Sequence, residues 1–183
     1  GPMRWFKLKR GRFNSLLLIP LIIGGALRFY RAWSSYDVYS PYTEPEEGYY
    51  ESGIGLLSWH VLSVSIPDSS PRAWRGPLYP TFIALTEGFF RHPRPGHVRM
   101  AQALLSTLAI ALIFYLGSAI YSPWAGLLAA LWAALDVGQI EGVASLNVHG
   151  FYGLCMLVLL AAVLLWLEKR SVKSTVLLGL VLG

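Results

Sequence analysis

The chain has 183 residues, 55% of them hydrophobic and only 14% charged, with a mean hydropathy of +0.50. That is too apolar for an ordinary soluble domain and points to a membrane protein. The net charge of +5 comes with no basic stripe on soluble helices, so topology and anionic lipid account for the Lys and Arg, and no nucleic-acid partner is expected.

Gly1-Pro2 ahead of Met3 reads as a cleavage scar, leaving 3–183 as a single transmembrane module. Arg4, Lys7, Lys9, Arg10 and Arg12 precede the first apolar run. Such clustered positive charge places the N-terminus on the cytoplasmic side. The first span is expected at about 14–33, with Arg28 and Arg31 extending their heads to the far interface and Phe29, Tyr30 and Trp33 forming an aromatic belt. A signal peptide is the alternative, but no small-residue cleavage site follows cleanly.

From about 34 to 97 the chain is mixed and rich in Pro, Tyr, Trp and Ser, a length at which loops carry function or structure of their own. Helical spacing of Tyr50, Ile54, Leu57 and Val61 predicts one piece from Glu46 to about Val64. A second runs from Leu78 to Phe90, with Pro77 and Pro80 near its start. Both suit a membrane surface. Further spans are expected at about 98–121, 124–140 and 150–167. A fifth starts near 174 and is incomplete at 183, about half of what a crossing needs, so the chain reads as an N-terminal fragment. The expected fold class is an all-α, multi-span bundle whose long extracytoplasmic first loop carries two interfacial helices. Cys155 cannot form an internal disulfide and reads as a small buried hydrophobe.

The chemistry concentrates in the first loop. Glu44-Pro-Glu-Glu-Gly-Tyr-Tyr-Glu51 is acidic in an otherwise apolar chain. Glu46 and Glu47 open a predicted helix, where carboxylates act as simple caps or, at an interface, as a general base toward an acceptor hydroxyl. Arg72 and Arg75 offer forked donors to a lipid phosphate, or merely anchor among headgroups. Tyr49, Tyr50 and Tyr79 could stack on a sugar or sit in the aromatic belt. Asp136, Glu141 and His149 lie in or near the third and fourth spans, where ionisable groups point to function. Arg91, Arg94 and Arg99 fall on the outer side and would meet an anionic ligand. No second His stands at ligand spacing from His149, so no metal site is assigned, though dependence on a divalent metal stays open. His60, His92 and His97 receive no role.

This layout resembles the C-type glycosyltransferase (GT-C) fold, most closely the protein O-mannosyltransferase and aminoarabinose transferase group. The resemblance rests on Glu46-Glu47-Gly48-Tyr49-Tyr50, where the group usually has Asp-Glu, and on Arg75-Gly76-Pro77-Leu78-Tyr79-Pro80. Leu27 to Tyr30 and the hairpin from Phe114 to Leu131 are similar too. The resemblance implies a multi-pass enzyme of a prokaryotic plasma membrane. It would move a sugar, with inversion, from a polyprenyl-phosphate donor to an unknown acceptor on the extracytoplasmic side, among membrane lipids and without a cofactor. One of Glu46 and Glu47 would be the base. Arg75, with Arg72, Tyr50, Tyr79, Glu141 and His149 around it, would meet the substrates. The chain departs from the group in having Glu46 for Asp, and His149 where a second acid usually heads the fourth helix. The other reading is a non-catalytic module of the same architecture that binds lipid phosphate or scaffolds a partner.

Overall fold

The computed structural model describes residues 13–37, 48–59, 76–90, 92–146 and 148–169, together with 176 and 179. The described residues are all-helical, without strands. In order they form α1 (Phe13–Ser34), α2 (Tyr49–Trp59), α3 (Leu78–Glu87), α4 (Pro95–Ile120), α5 (Pro123–Leu135), α6 (Val137–Gly142) and α7 (His149–Lys169). The N-terminal basic cluster lies outside the described residues, and so does the incomplete fifth span apart from 176 and 179.

Among the described residues, three helices are long and apolar enough to cross a membrane: Ser15–Ser34, Pro95–Ile120 and His149–Leu167. α1 and α4 run antiparallel, with Arg28 beside Ser106 and Gly25 beside Thr107. α4 then turns at Tyr121 into α5, which is capped by the Ser122 side chain accepting from the Ala125 amide at 3.2 Å and opened by Pro123. The two helices cross tightly at Gly117 and Gly126. A Cβ on Gly126 would strike the Ser118 hydroxyl and the Phe114 carbonyl oxygen. Without water to drive helices together in a bilayer, such small residues allow close van der Waals packing. Leu17, Ile110, Phe114, Leu127, Ala130 and Ala134 fill the core between the three helices.

The third apolar segment does not continue to 140. α5 stops at Leu135 after 13 residues, about 20 Å at 1.5 Å per residue and short of a roughly 30 Å bilayer core. The cause is Asp136. Its backbone is extended, and its Oδ1 accepts from the amides of Gly138 (2.9 Å) and Gln139 (3.4 Å), which starts α6 as a separate helix. Ending α5 there releases carbonyls at depth, and Arg28 takes them. Its NH1 donates to Ala134 O and Gly24 O (both 3.1 Å), its NH2 to Ala133 O (2.7 Å) and its Nε to Ser106 Oγ (2.7 Å). Arg28 is therefore 1% exposed, and the expectation that its head reaches the interface is corrected. A buried cation is tolerated where donors and acceptors match in number and direction.

Arg99 is corrected likewise. It is buried in α4, donating through Nε to Ala144 O (2.5 Å) and through NH1 to Ser35 O (2.6 Å), and so ties the end of α1 to the segment after α6. It does not face an outer ligand. Arg31, a turn beyond Arg28, does lie toward the surface and pairs with Glu141 at 2.8 Å. α7 runs beside α4 in the same direction and leaves most of its apolar surface uncovered, only 6% of its apolar window being buried.

Candidate functional site

α3 is shorter than the spacing predicted, Leu78–Glu87, and α2 is described over Tyr49–Trp59, with 60–64 lying outside the described residues. Gly48, at φ 94°, turns the chain into α2 in a conformation that L side chains avoid. The two helices lie side by side and point the same way. Tyr49 meets Tyr79 edge-on at 5.2 Å, Gly53 faces Ile83, and Leu57 reaches Gly88. α3 in turn runs antiparallel to the start of α4, with Tyr79 against Gln102, and Glu87 against His97. The first turns of α2 and α3 thus share one end, pressed against α4 and the start of α7 through Tyr49, Tyr79, Val98, Val148 and Phe151.

Glu46, Glu47, Arg72 and Arg75 lie outside the described residues. The chain re-enters the described structure at Gly48 and at Gly76, immediately after each pair. Gly76 sits against the hydroxyl of Tyr152, which would be 3.2 Å from a Cβ there. The remaining expected site residues divide. His149 opens α7, is exposed and lines a cavity of about 130 Å³ with Gln102, Ser106, Gln139 and Gly142. A second cavity of about 340 Å³ shares Ser106, Gln139 and Gly150 with the first. It adds Arg28 and Asp136 at the helix break and an apolar wall that includes Ile113 and Leu157. Tyr50 is half-buried, its hydroxyl 3.4 Å from Glu87 Oε1. Glu141 is apart, engaged by Arg31 Nε and NH2 through one carboxylate oxygen, both at 2.8 Å.

Tyr79 differs most from expectation. It is fully buried, packed by Tyr49, Phe82 and Phe151, and its hydroxyl accepts from Gln102 Nε2 at 2.9 Å. An aromatic ring with no exposed face belongs to the core that sets α3 on α4, rather than to a belt or a stacking surface. Among the described residues, no three His, Cys, Asp or Glu side chains gather to hold a metal ion.

Sequence reasoning passed over Glu87 and His97. Glu87 is 0% exposed; its Oε2 lies 2.8 Å from His97 Nδ1 and accepts from the Arg94 amide at 3.2 Å. The signal was present in the spacing. Tyr79, Ile83 and Glu87 recur every fourth residue on the buried face of α3, and a carboxylate on such a face must find partners.

Among the described residues, an all-helical bundle with three membrane-length helices, a helix broken at Asp136 and a mostly apolar cleft at that break defines an integral membrane protein. The family model described as dolichyl-phosphate-mannose-protein mannosyltransferase matches residues 74–183, more than half of the chain, and the chain belongs to that family. It is a membrane glycosyltransferase of the GT-C kind. No curated protein and no solved structure gives a match.

Proposed function

We infer that the protein moves a sugar from a polyprenyl-phosphate donor to an acceptor on the extracytoplasmic side, with the N-terminus in the cytoplasm. Glu47, or its neighbour Glu46, takes the proton of the acceptor hydroxyl. The acceptor oxygen forms a new bond to the anomeric carbon from the face opposite the phosphate. The bond from that carbon to the phosphate oxygen breaks, and polyprenyl phosphate leaves with the electron pair. Arg75 meets the phosphate charge as it develops, a role worth on the order of a few kcal/mol for a well-placed donor near a low-dielectric surface.

One observation carries this reading: the first turns of α2 and α3 touch, Tyr49 on Tyr79, beside the mouth of a cleft lined by Gln102 and His149. Glu47 precedes Tyr49 by two residues, and Arg75 precedes Tyr79 by four. Glu47 and Arg75 are thus the residues directly before Gly48 and Gly76, where the described chain enters this helix pair. The family match supports sugar transfer and takes in Arg75 through Pro80.

In the full-length protein, Glu47→Gln is expected to lower transfer by about 10²–10⁴-fold, the usual contribution of a positioned base, without loss of fold. Unchanged turnover removes Glu47 from the role. His149, in the place where an acid is usual, favours a second reading as a lipid-phosphate-binding module. Polyprenyl phosphate raising the unfolding temperature of a full-length protein that shows no sugar transfer would establish it.

A further inference from the structure

The α2–α3 pair is fastened to the bundle at two ends of different chemistry. At its first turns the fastening is aromatic, through Tyr49, Tyr79, Val98 and Phe151. At the far end of α3 it is polar and converges on one carboxylate. Glu87 lies in the last turn of its own helix, where negative charge opposes the dipole. Its placement makes sense only toward α4. Arg94 is the residue that caps α4 but contributes no side-chain cap, and Pro95 brings no N–H. Glu87 supplies a negative group there from a different helix, accepting the Arg94 amide at 3.2 Å and facing His97 Nδ1 at 2.8 Å.

His97 is itself locked. Its ring stacks on Phe90 with centroids 3.6 Å apart, and Tyr36, just past α1, meets it edge-on at 5.9 Å. The other carboxylate oxygen, Oε1, lies 3.4 Å from the hydroxyl of Tyr50, a long contact that a small shift of α2 would strengthen or lose. Tyr50 stands in the first turn of α2, three residues after Glu47. One buried carboxylate therefore joins α2, α3 and α4. Of the fastenings named, it is the one that a single side-chain change can undo without opening the aromatic core.

We propose that Glu87 is a positioning residue for sugar transfer: held by His97 and the Arg94 amide, it fixes the first turn of α2, the helix that directly follows the acid pair in sequence, through Tyr50. This rests on the reading of Glu46 and Glu47 given above. Glu87 touches no reacting atom and acts through α2. A shift of about 1 Å in a catalytic group is enough to cost on the order of a hundredfold in rate.

The test uses the full-length protein in detergent or nanodiscs. It pairs steady-state transfer from a polyprenyl-phosphate sugar with hydrogen exchange over residues 49–59. Glu87→Ala is expected to lower kcat by about tenfold to a hundredfold, with KM for the donor changed less than about threefold. Exchange in α2 should accelerate while that of α5 does not. Glu87→Gln keeps the shape and an acceptor for the Arg94 amide, and should restore kcat to within about threefold of the parent. The effects of Tyr50→Phe and Glu87→Ala should be less than additive, because the Tyr50–Glu87 contact is common to both.

A Glu87→Ala protein whose kcat per folded molecule equals the parent's overturns the proposal, and so does one whose α2 exchange is unmoved. If Glu87→Ala does not fold, Tyr50→Phe decides: a lower kcat with faster α2 exchange supports the proposal, and unchanged kcat with unchanged α2 exchange overturns it. Failure of the glycosyltransfer reading is seen separately, as absence of transfer in the parent. The exchange of α2 then still reports whether Glu87 holds it.

Discussion

In the α1–α4–α5 bundle a buried cation donates its hydrogen bonds to neutral acceptors, with the Asp136 carboxylate nearby: Arg28 is met by two carbonyls from the end of α5, one from α1 and the Ser106 hydroxyl. In the α2–α3 pair a buried anion, Glu87, is met by an imidazole, a backbone amide and a phenol drawn from α4, the residue before it, and α2. The first arrangement completes the backbone of an interrupted helix, so it cannot loosen without opening α5. The second joins elements through side chains, so it can be changed a step at a time. The bundle is thus the platform, and the pair that follows the acidic loop is mounted on it by the Glu87 carboxylate together with the aromatic packing of Tyr49, Tyr79 and Phe151.

The largest break in that contrast should come from Arg28→Met. Ala133 and Ala134 would keep unpaired carbonyls at membrane depth, at about 1–3 kcal/mol each, partly offset by removal of a buried charge. A net loss of about 2–4 kcal/mol is expected, read as a fall in unfolding temperature in detergent. Arg28→Lys should recover only part of it, since an ammonium lacks the forked donors that reach four oxygens. A Met variant as stable as the parent would show that the platform does not depend on closing the broken helix.

Gly126→Val comes next. The added methyls would press on Ser118 and the Phe114 carbonyl where α4 and α5 touch, at about 1–3 kcal/mol of overpacking. Gly153→Ala in α7, where a Cβ would meet nothing within 4 Å, is the matched control and should leave the unfolding temperature unchanged or slightly raised. Equal losses in the two would remove the distinction between the tight crossing and the open face of α7.

The smallest effect belongs to Arg31 and Glu141. The pair is short at 2.8 Å, but its side chains are 34% and 55% exposed, so solvent screens it. Arg31→Ala and Glu141→Ala should each change stability by less than about 1 kcal/mol, with a coupling in the same range by double-mutant cycle. A larger coupling would move this surface pair into the class of the buried arginines.

Much of the bundle was legible before any coordinates. α1, α4 and α7 announce themselves by continuous apolar length, and Ser122-Pro123 marks the start of α5 through its cap and its proline. The break at Asp136 was not read, because its neighbours are apolar on both sides and their composition is that of a continuing helix. Nor was the burial of Tyr79, whose ring would suit a membrane interface equally well.

The sequence by itself determined where the long apolar helices α1, α4 and α7 form. Leu17, Pro20, Gly24, Arg28 and Ala32 fall on one stripe of α1, and Arg99, Ala103, Ser106, Ile110 and Phe114 on one stripe of α4. Arg28 and Arg99 stand on those stripes and Glu87 on the buried face of α3, although in the sequence alone both arginines read as outward-facing. Only the tertiary structure decided what met them there. The oxygens around Arg28 come from residues 4, 78, 105 and 106 positions away, and a periodicity within one helix holds no information about the end of another. A charge on a buried stripe demands partners because burial without them is costly; which groups answer depends on how the helices cross.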